Sequence, residues 1–272
     1  MASSLADRID TAYVGLTPQE QRAADFMRLH LADLAVYNAT EVARLSGVSK
    51  ATVSRLYRRL GFDSADDLRE HVRGLRTLGT PVPSRAAAAH ATHLAQELAN
   101  LAAALGELDL APAAEAIASA DRVVVMGFRN SYPMALHLRQ QLVQARPAVE
   151  LVPQPGQSIG EELAGLTAAD VVVLVGFRRR PESFARVASA VGSSPAALVL
   201  LTDPSGRGYA RHADHVIECP LDAVSAFDSY AAAASIIALL ASMVLARGLS
   251  TGGARIAAIN AAYQHLHELE GP

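Results

Sequence analysis

The chain is predicted to fold as an N-terminal all-α helix-turn-helix domain followed by a C-terminal α/β domain built on a doubly wound parallel sheet. Three observations predict this. The stretch from Asn38 to Phe62, N-A-T-E-V-A-R-L-S-G-V-S-K-A-T-V-S-R-L-Y-R-R-L-G-F, has the spacing of two short helices around a glycine turn. Between residues 122 and 217, short unbroken apolar runs alternate with helical patterns, as strands buried on both faces of a parallel sheet do. Between these regions, Thr80-Pro81-Val82-Pro83-Ser84 breaks helix twice and reads as a linker. The expected domains are residues 1–78, a linker with a connecting helix over 79–108, and the α/β domain over 109–272.

The helical elements follow from caps and stripes. Thr17-Pro18-Gln19-Glu20 is a capping box with proline at the first helical position. Ala23, Ala24, Phe26, Met27 and Leu31 then give one apolar stripe. Asn38 caps the next helix and Glu41 supplies the acid of its capping box. Val42 and Leu45 are expected to point inward, and small Ala43 lets a second helix cross closely. Gly47 ends that helix, where positive φ is cheap for glycine. Ser49 caps the helix that follows, whose buried stripe is Val53, Leu56 and Leu60. Its opposite face carries Ser49, Lys50, Thr52, Ser54, Arg55, Arg58 and Arg59. Such a face suits the major groove of double-stranded DNA, since arginines meet guanine edges or phosphates and hydroxyls bond to either. Ser64 opens a further helix with Leu68 and Val72 on its apolar side.

In the second region the chain is Ala- and Leu-rich and helical from Arg85 to Leu108. Strands are predicted at Arg122–Met126, Val149–Val152, Asp170–Val175, Ala197–Leu201 and His215–Ile217, and helices at Ser131–Ala145, Pro181–Val191 and Ser229–Ala246. A ligand belongs at the carboxyl ends of such strands. Two strand-to-helix loops stand there. Gly127-Phe128-Arg129-Asn130-Ser131 combines a glycine, polar side chains and a helix N-terminus, a ready anion site. Gly176-Phe177-Arg178-Arg179-Arg180-Pro181 crowds three cations at a strand end, which an anion would relieve or Glu161, Glu162 or Glu182 would pair. A third loop, Thr202-Asp203-Pro204-Ser205, is expected to cap the helix after it.

Composition bounds the function. Net charge is −3, so positive charge for DNA has to be local, and the second helix of the turn supplies it. Half of the residues (51%) are hydrophobic and tryptophan is absent, so the core is aliphatic. The single cysteine, Cys219, forms no internal disulfide, fits a reducing cytoplasm, and reads as a buried small hydrophobe. The N-terminal ten residues hold no apolar run, so no signal peptide is expected. The uncharged stretch Ser229 to Ala246 is mostly Ala and Ser with few large aliphatics, and reads as a core or interface helix rather than a membrane span.

These motifs resemble the RpiR (MurR/RpiR) family of transcriptional regulators: a helix-turn-helix joined to a sugar isomerase (SIS) domain. The resemblance covers nearly the whole chain. It rests on L-T-P-Q-E-Q-R-A-A-D-F and L-S-G-V-S-K-A-T-V-S-R-L-Y-R-R-L-G-F, on M-G-F-R-N-S-Y-P-M-A at 126–135, on L-V-L-L-T-D-P-S at 198–205 and on F-D-S at 227–229. It implies a phosphosugar effector in the SIS-like domain. Two departures bear on this. The family's first loop reads G-x-G-x-S, and Arg129 replaces its second glycine while Ser131 is kept. The family's second loop is rich in Ser and Thr, and here it is G-F-R-R-R-P. Arginines hold phosphate and carboxylate equally well.

The reading is therefore a cytoplasmic, non-enzymatic regulator that binds operator DNA and a small anionic metabolite, as a homodimer or tetramer and without a membrane. The DNA-binding residues expected are Ser49, Lys50, Thr52, Ser54, Arg55, Arg58 and Arg59. The effector-binding residues expected are Gly127, Arg129, Asn130, Ser131, Arg178, Arg179 and Arg180. No cofactor, metal ligand or catalytic residue is expected. The competing classes are a sugar-phosphate isomerase and an effector-independent DNA-binding protein. Isomerisation needs a general base, and of the carboxylates and histidines placed for it, Glu161, Glu162, His137 and His212, none is singled out. His90 and His93 share a helix face, but a metal site needs more ligands.

Overall fold

The computed structural model describes residues 5–31, 34, 37–77, 90–106, 108–224 and 227–269. The linker expected at Thr80–Ser84 and the first turn of the helix expected from Arg85 lie outside them. The chain divides into two compact units, residues 1–96 with 222–229, and residues 97–221 with 230–272.

The first unit holds α1 (Leu5–Ala12), a 3-10 turn (Tyr13–Gly15), α2 (Pro18–Leu29), α3 (Ala39–Ser46), α4 (Lys50–Arg59) and α5 (Ala65–Thr77). Each predicted start signal operates. The Thr17 hydroxyl accepts from the Glu20 N–H while the Glu20 carboxylate accepts from the Thr17 N–H, and Asn38 and Glu41 repeat this box at α3. Gly47 closes α3 at φ 68°, and Ser49 caps α4 through the Thr52 N–H. Satisfying these orphan N–H groups contributes about 1 kcal/mol per cap. Val42, Ala43, Val53, Leu56, Leu60, Leu68 and Val72 form the core with α1 and α2. Leu45 departs from the expectation and is 42% exposed. The buried stripe of α3 runs through Val42, Ala43 and Ser46, and at 100° per residue Leu45 falls on its flank. Helix α1 was not legible in the sequence: it buries only Leu5 and Ile9.

Helix α6 (His90–Leu105) follows, and the second unit continues through α7 (Ala111–Ser119), β1 (Arg122–Gly127), α8 (Ser131–Ala145), β2 (Val149–Val152), α9 (Ile159–Ala164), β3 (Asp170–Gly176), α10 (Phe184–Gly192), β4 (Ala197–Thr202), a 3-10 segment (Pro204–His212), β5 (His215–Glu218), α11 (Ala231–Arg247) and α12 (Leu249–Leu266). The five strands pair in parallel in the order β2-β1-β3-β4-β5. Successive side chains leave a strand on opposite faces. Val123, Val125, Val171, Val173, Val175, Val199 and Leu201 therefore pack with α7, α8 and α11. Val124, Met126, Val172, Leu174, Leu198 and Leu200 pack with α10 on the other face. This is the doubly wound sheet expected. Helix α11 lies in that core, with Ile236, Ile237, Leu240 and Val244 buried, and no single helix among the described residues is long and apolar enough to cross a membrane.

The order reverses between β1 and β3, so the crevice of an open α/β sheet opens above that pair. At the opposite end of the same pair, Arg122 donates to Asp170 at 3.0 Å, directly across the register. Asp170 also accepts from the Thr167 N–H and hydroxyl. The Arg122 guanidinium, opposed by burial and helped by the Thr167 donors, holds the Asp170 carboxyl below its usual range. A carboxyl whose folded-state pKa is depressed adds stability above its unfolded pKa of about 4 and loses it as pH falls through the lower folded value. Asp170→Asn is expected to lower stability by about 1–2 kcal/mol at neutral pH, less than for a fully buried pair because Arg122 is 28% exposed and keeps Glu150 nearby. The difference from wild type should shrink on acidification in urea melts. A gap that stays constant down to pH 2 would show that the pair is not the source.

Candidate functional site

Two sites are presented, one on each unit. On the first, α4 is held by the core beneath it, and its outer surface carries Lys50, Arg55 and Arg58, all exposed, with Ser54 half-buried. The structure corrects two expected members of this face. Thr52 is buried, because at the third helical position its hydroxyl turns back to the Ser49 cap at 2.9 Å. It also accepts from Arg55 Nη2 at 3.4 Å, which ties that arginine to the helix. Arg59 turns toward its own domain: Nη1 donates to the Gly15 carbonyl at 2.7 Å and Nε lies 3.4 Å from the buried Glu20 carboxylate.

Lys50, Ser54 and Arg58, spaced one turn apart, line a cleft of about 710 Å³ with Thr40 at the start of α3, Ser64 just before α5 and Arg69 in the second turn of α5. Thr40 and Arg69 were not anticipated, because nothing in the spacing of α4 tells which neighbouring helix ends frame it. Asp63 and Asp66 also line the cleft, and Arg69 is ion-paired with Asp66.

On the second unit, the loops after β1 and β3 stand side by side, since Gly127 and Val175 are register partners. Ser131, the first residue of α8, is buried, and its hydroxyl accepts from the Phe177 N–H at 3.0 Å, joining the two loops. Gly127 is required by close approach: a Cβ there would lie 2.7 Å from Ala135 Cβ and 2.8 Å from the Ser131 carbonyl. Arg129 (φ 52°) and Arg179 (φ 62°) each sit in the left-handed region. For a non-glycine residue that conformation costs of order 1 kcal/mol and concentrates at functional sites. Both side chains are exposed, as is Asn130, and among the described residues neither arginine has an ion-pair partner.

Arg178 and Arg180 behave differently. They point to Asp203, which is fully buried at the end of β4, with Nε of Arg178 3.3 Å and Nη1 of Arg180 3.0 Å from its carboxylate. Asp203 caps the 3-10 segment through the Ser205 N–H as expected, but its second role as arginine acceptor was not visible in the sequence. Neither Glu161, Glu162 nor Glu182 supplies the partner. Cys219, buried beside this edge, has its thiol pushed up to about 12 by burial and then by the Asp203 and Glu218 charges, which leaves it inert as a nucleophile. His137 is exposed and shares a hydrogen bond with Gln141, and His212 accepts from Arg211. Among the described residues no hydrogen bond joins any two of His137, His212, Glu161 and Glu162, and no group of three metal-ligating side chains occurs.

The Arg59 contacts make a prediction. Burial raises the Glu20 pKa, but the Thr17 N–H and hydroxyl and the Arg59 charge outweigh it and leave the carboxyl below its ordinary range. Arg59→Ala is expected to destabilise the N-terminal unit by about 1 kcal/mol, a modest value because half of the Arg59 side chain is in water. Glu20 adds stability that is lost as pH falls through its depressed pKa, so the variant should be closest to wild type in acid. Unchanged thermal stability at pH 7 would remove Arg59 from this structural role.

Comparison with known proteins places both units. Residues 3–75 match the model of the helix-turn-helix domain of the rpiR family, and residues 116–246 match the SIS domain. No curated protein sequence matches the chain. Among solved structures, the sugar isomerase domain of the RpiR transcription factor from Sphaerobacter thermophilus is similar at TM-score 0.58 and 22% identity, over 63% of this chain and 97% of that one. The Vibrio vulnificus NanR protein complexed with ManNAc-6P is similar at TM-score 0.57 and 16% identity, over 97% of this chain and 99% of that one. At such identities the likeness speaks for the fold. An rpiR-type helix-turn-helix followed by a SIS domain, found here in that order on one chain, makes this protein a member of the RpiR family.

Proposed function

We propose that the protein is a DNA-binding transcriptional regulator, not an enzyme, whose operator affinity responds to a small anionic metabolite held above β1 and β3. The observation that carries the DNA half is the capped α4, which presents Lys50, Ser54, Arg55 and Arg58 on a domain matched to a DNA-binding family. Arg55 and Arg58 are one turn apart, at a spacing that lets at least one read a base while Lys50 holds phosphate. Ser49 and Ser54 are the hydroxyls left for backbone contact. Thr52 and Arg59 serve the fold of the reading helix.

The effector half is supported by Arg129, Arg179 and Asn130 at the switch point of the sheet, beside the N-terminus of α8, whose dipole favours an anion. A phosphosugar is the favoured class, because NanR, similar over nearly the whole chain, was solved with ManNAc-6P. Gly127 and Ser131 shape the site by close packing and by the bond to Phe177. Assembly as a homodimer in the cytoplasm completes the reading. Leu94 and Leu98 on α6, at 58% and 57% exposure, and Leu239 on α11 offer apolar surface, and a two-fold pair of helix-turn-helix units suits a palindromic operator. A ligand shifts operator affinity only by its preference for one arrangement of the two DNA-binding units.

Two measurements test this. In titrations of operator DNA, Arg58→Ala or Arg55→Ala should cost about 1–3 kcal/mol and relax specificity at one base pair. Lys50→Ala should weaken all sequences alike and flatten the salt dependence. Wild-type affinity and salt slope in all three would sink the DNA assignment. In calorimetry against sugar phosphates and organic acids, at least one anion should bind wild type and lose at least tenfold in Arg129→Ala/Arg179→Ala, about 1.4 kcal/mol. Equal binding to both places the effector elsewhere.

A further inference from the structure

The environment of Asp203 has the makeup of an oxyanion site. Its carboxylate receives Arg178 Nε at 3.3 Å and Arg180 Nη1 at 3.0 Å. It also receives the Ser205 N–H at 3.1 Å and the Ser205 hydroxyl at 2.6 Å. Two guanidiniums, a backbone N–H at the start of a helical segment and a hydroxyl are what proteins assemble around phosphate and carboxylate groups. The donors are themselves fixed. Arg180 Nη1 also donates to the Gly176 carbonyl at 2.7 Å, and its Nη2 to the Ser205 hydroxyl at 2.8 Å. The Arg180 guanidinium lies 5.4 Å from the Tyr209 ring centroid and 5.8 Å from that of Phe184. Thr202 donates to the same Gly176 carbonyl at 2.8 Å. Asp203 is 0% exposed, against 9% and 12% for the Arg178 and Arg180 side chains.

We infer that Asp203 is a built-in anion. It fills, from within the chain, an oxyanion cradle formed by Arg178, Arg180 and Ser205 at the ends of β3 and β4. A carboxylate fixed in this way excludes the charged group of a ligand from these two arginines. It confines ligand recognition to Arg129 in the loop after β1 and Arg179 in the loop after β3. Asp203 thereby determines which kind of anion the crevice accepts: one whose charged group is satisfied without Arg178 and Arg180. This last step rests on the effector site proposed above; the occupied cradle does not.

The two are separated by experiment. Removing the carboxylate takes away the acceptor that the Arg178 and Arg180 guanidiniums and the Ser205 N–H and hydroxyl share, so a free oxyanion should enter and restore stability. Asp203→Ala is expected to melt below wild type. Inorganic phosphate in about tenfold excess over its dissociation constant should raise its Tm by about 3–6 °C more than it raises that of wild type. The extra gain should vanish in Asp203→Ala/Arg178→Ala. Should Asp203→Ala fail to fold, Asp203→Ser keeps a capping hydroxyl for the 3-10 segment, loses the charge, leaves room for an oxyanion and carries the same expectation. An equal phosphate response in wild type and the folded Asp203 variant overturns the inference. Absence of anion binding to wild type in calorimetry would count against the effector site and leave the melts to decide the cradle.

Discussion

The pairing of β1 with β3 is the constraint on which the α/β unit depends. It places chain segments some 48 residues apart in one register, from Arg122 opposite Asp170 to Gly127 opposite Val175. At one end an ion pair and the Thr167 donors hold the strands together; at the other the Ser131 hydroxyl takes the Phe177 N–H. Because the sheet order reverses at this pair, the helices after β1 and β3 leave on opposite faces and the backbone between them is left uncovered. The left-handed arginines, Arg129 and Arg179, are both found there.

The helix-turn-helix unit depends on a different economy. Its helices are eight to thirteen residues long, too short to persist alone in water. Caps at Thr17, Asn38 and Ser49 and the left-handed Gly47 define where each begins or ends. The packed stripe of Val42, Val53, Leu56 and Leu60 then fixes their crossing. With the inner face and the helix starts both satisfied by the protein itself, the outer face of α4 is left to Lys50, Arg55 and Arg58.

Arginine has three separate duties here. Arg59 and Arg122 close ion pairs that brace a fold, Arg178 and Arg180 surround a buried carboxylate, and Arg58 and Arg129 face solvent. The residue type is the same in each case. What differs is whether a carboxylate from elsewhere in the chain reaches it, and a guanidinium with a fixed partner is costly to desert.

Local signals were legible in the sequence because their physics is local. A capping box, a glycine after a stripe or an unbroken valine run acts over a few residues, so the boundaries of α3, α8 and β2 and the start of α4 follow from spacing alone. Helix α1 and the short α9 carried too little periodicity to be read. The loops that would hold an anion were also legible, as glycine, arginine and a helix start at strand ends. Residue spacing and composition specify the two architectures, their order and the reading helix. Which polar side chains stand open follows only from the packed chain. Arg59 is drawn to Glu20, and Arg178 and Arg180 are claimed by Asp203. Those partners lie between twenty-three and thirty-nine residues away, and an ion pair depends on distance in space, which residue spacing does not encode once the chain turns back on itself.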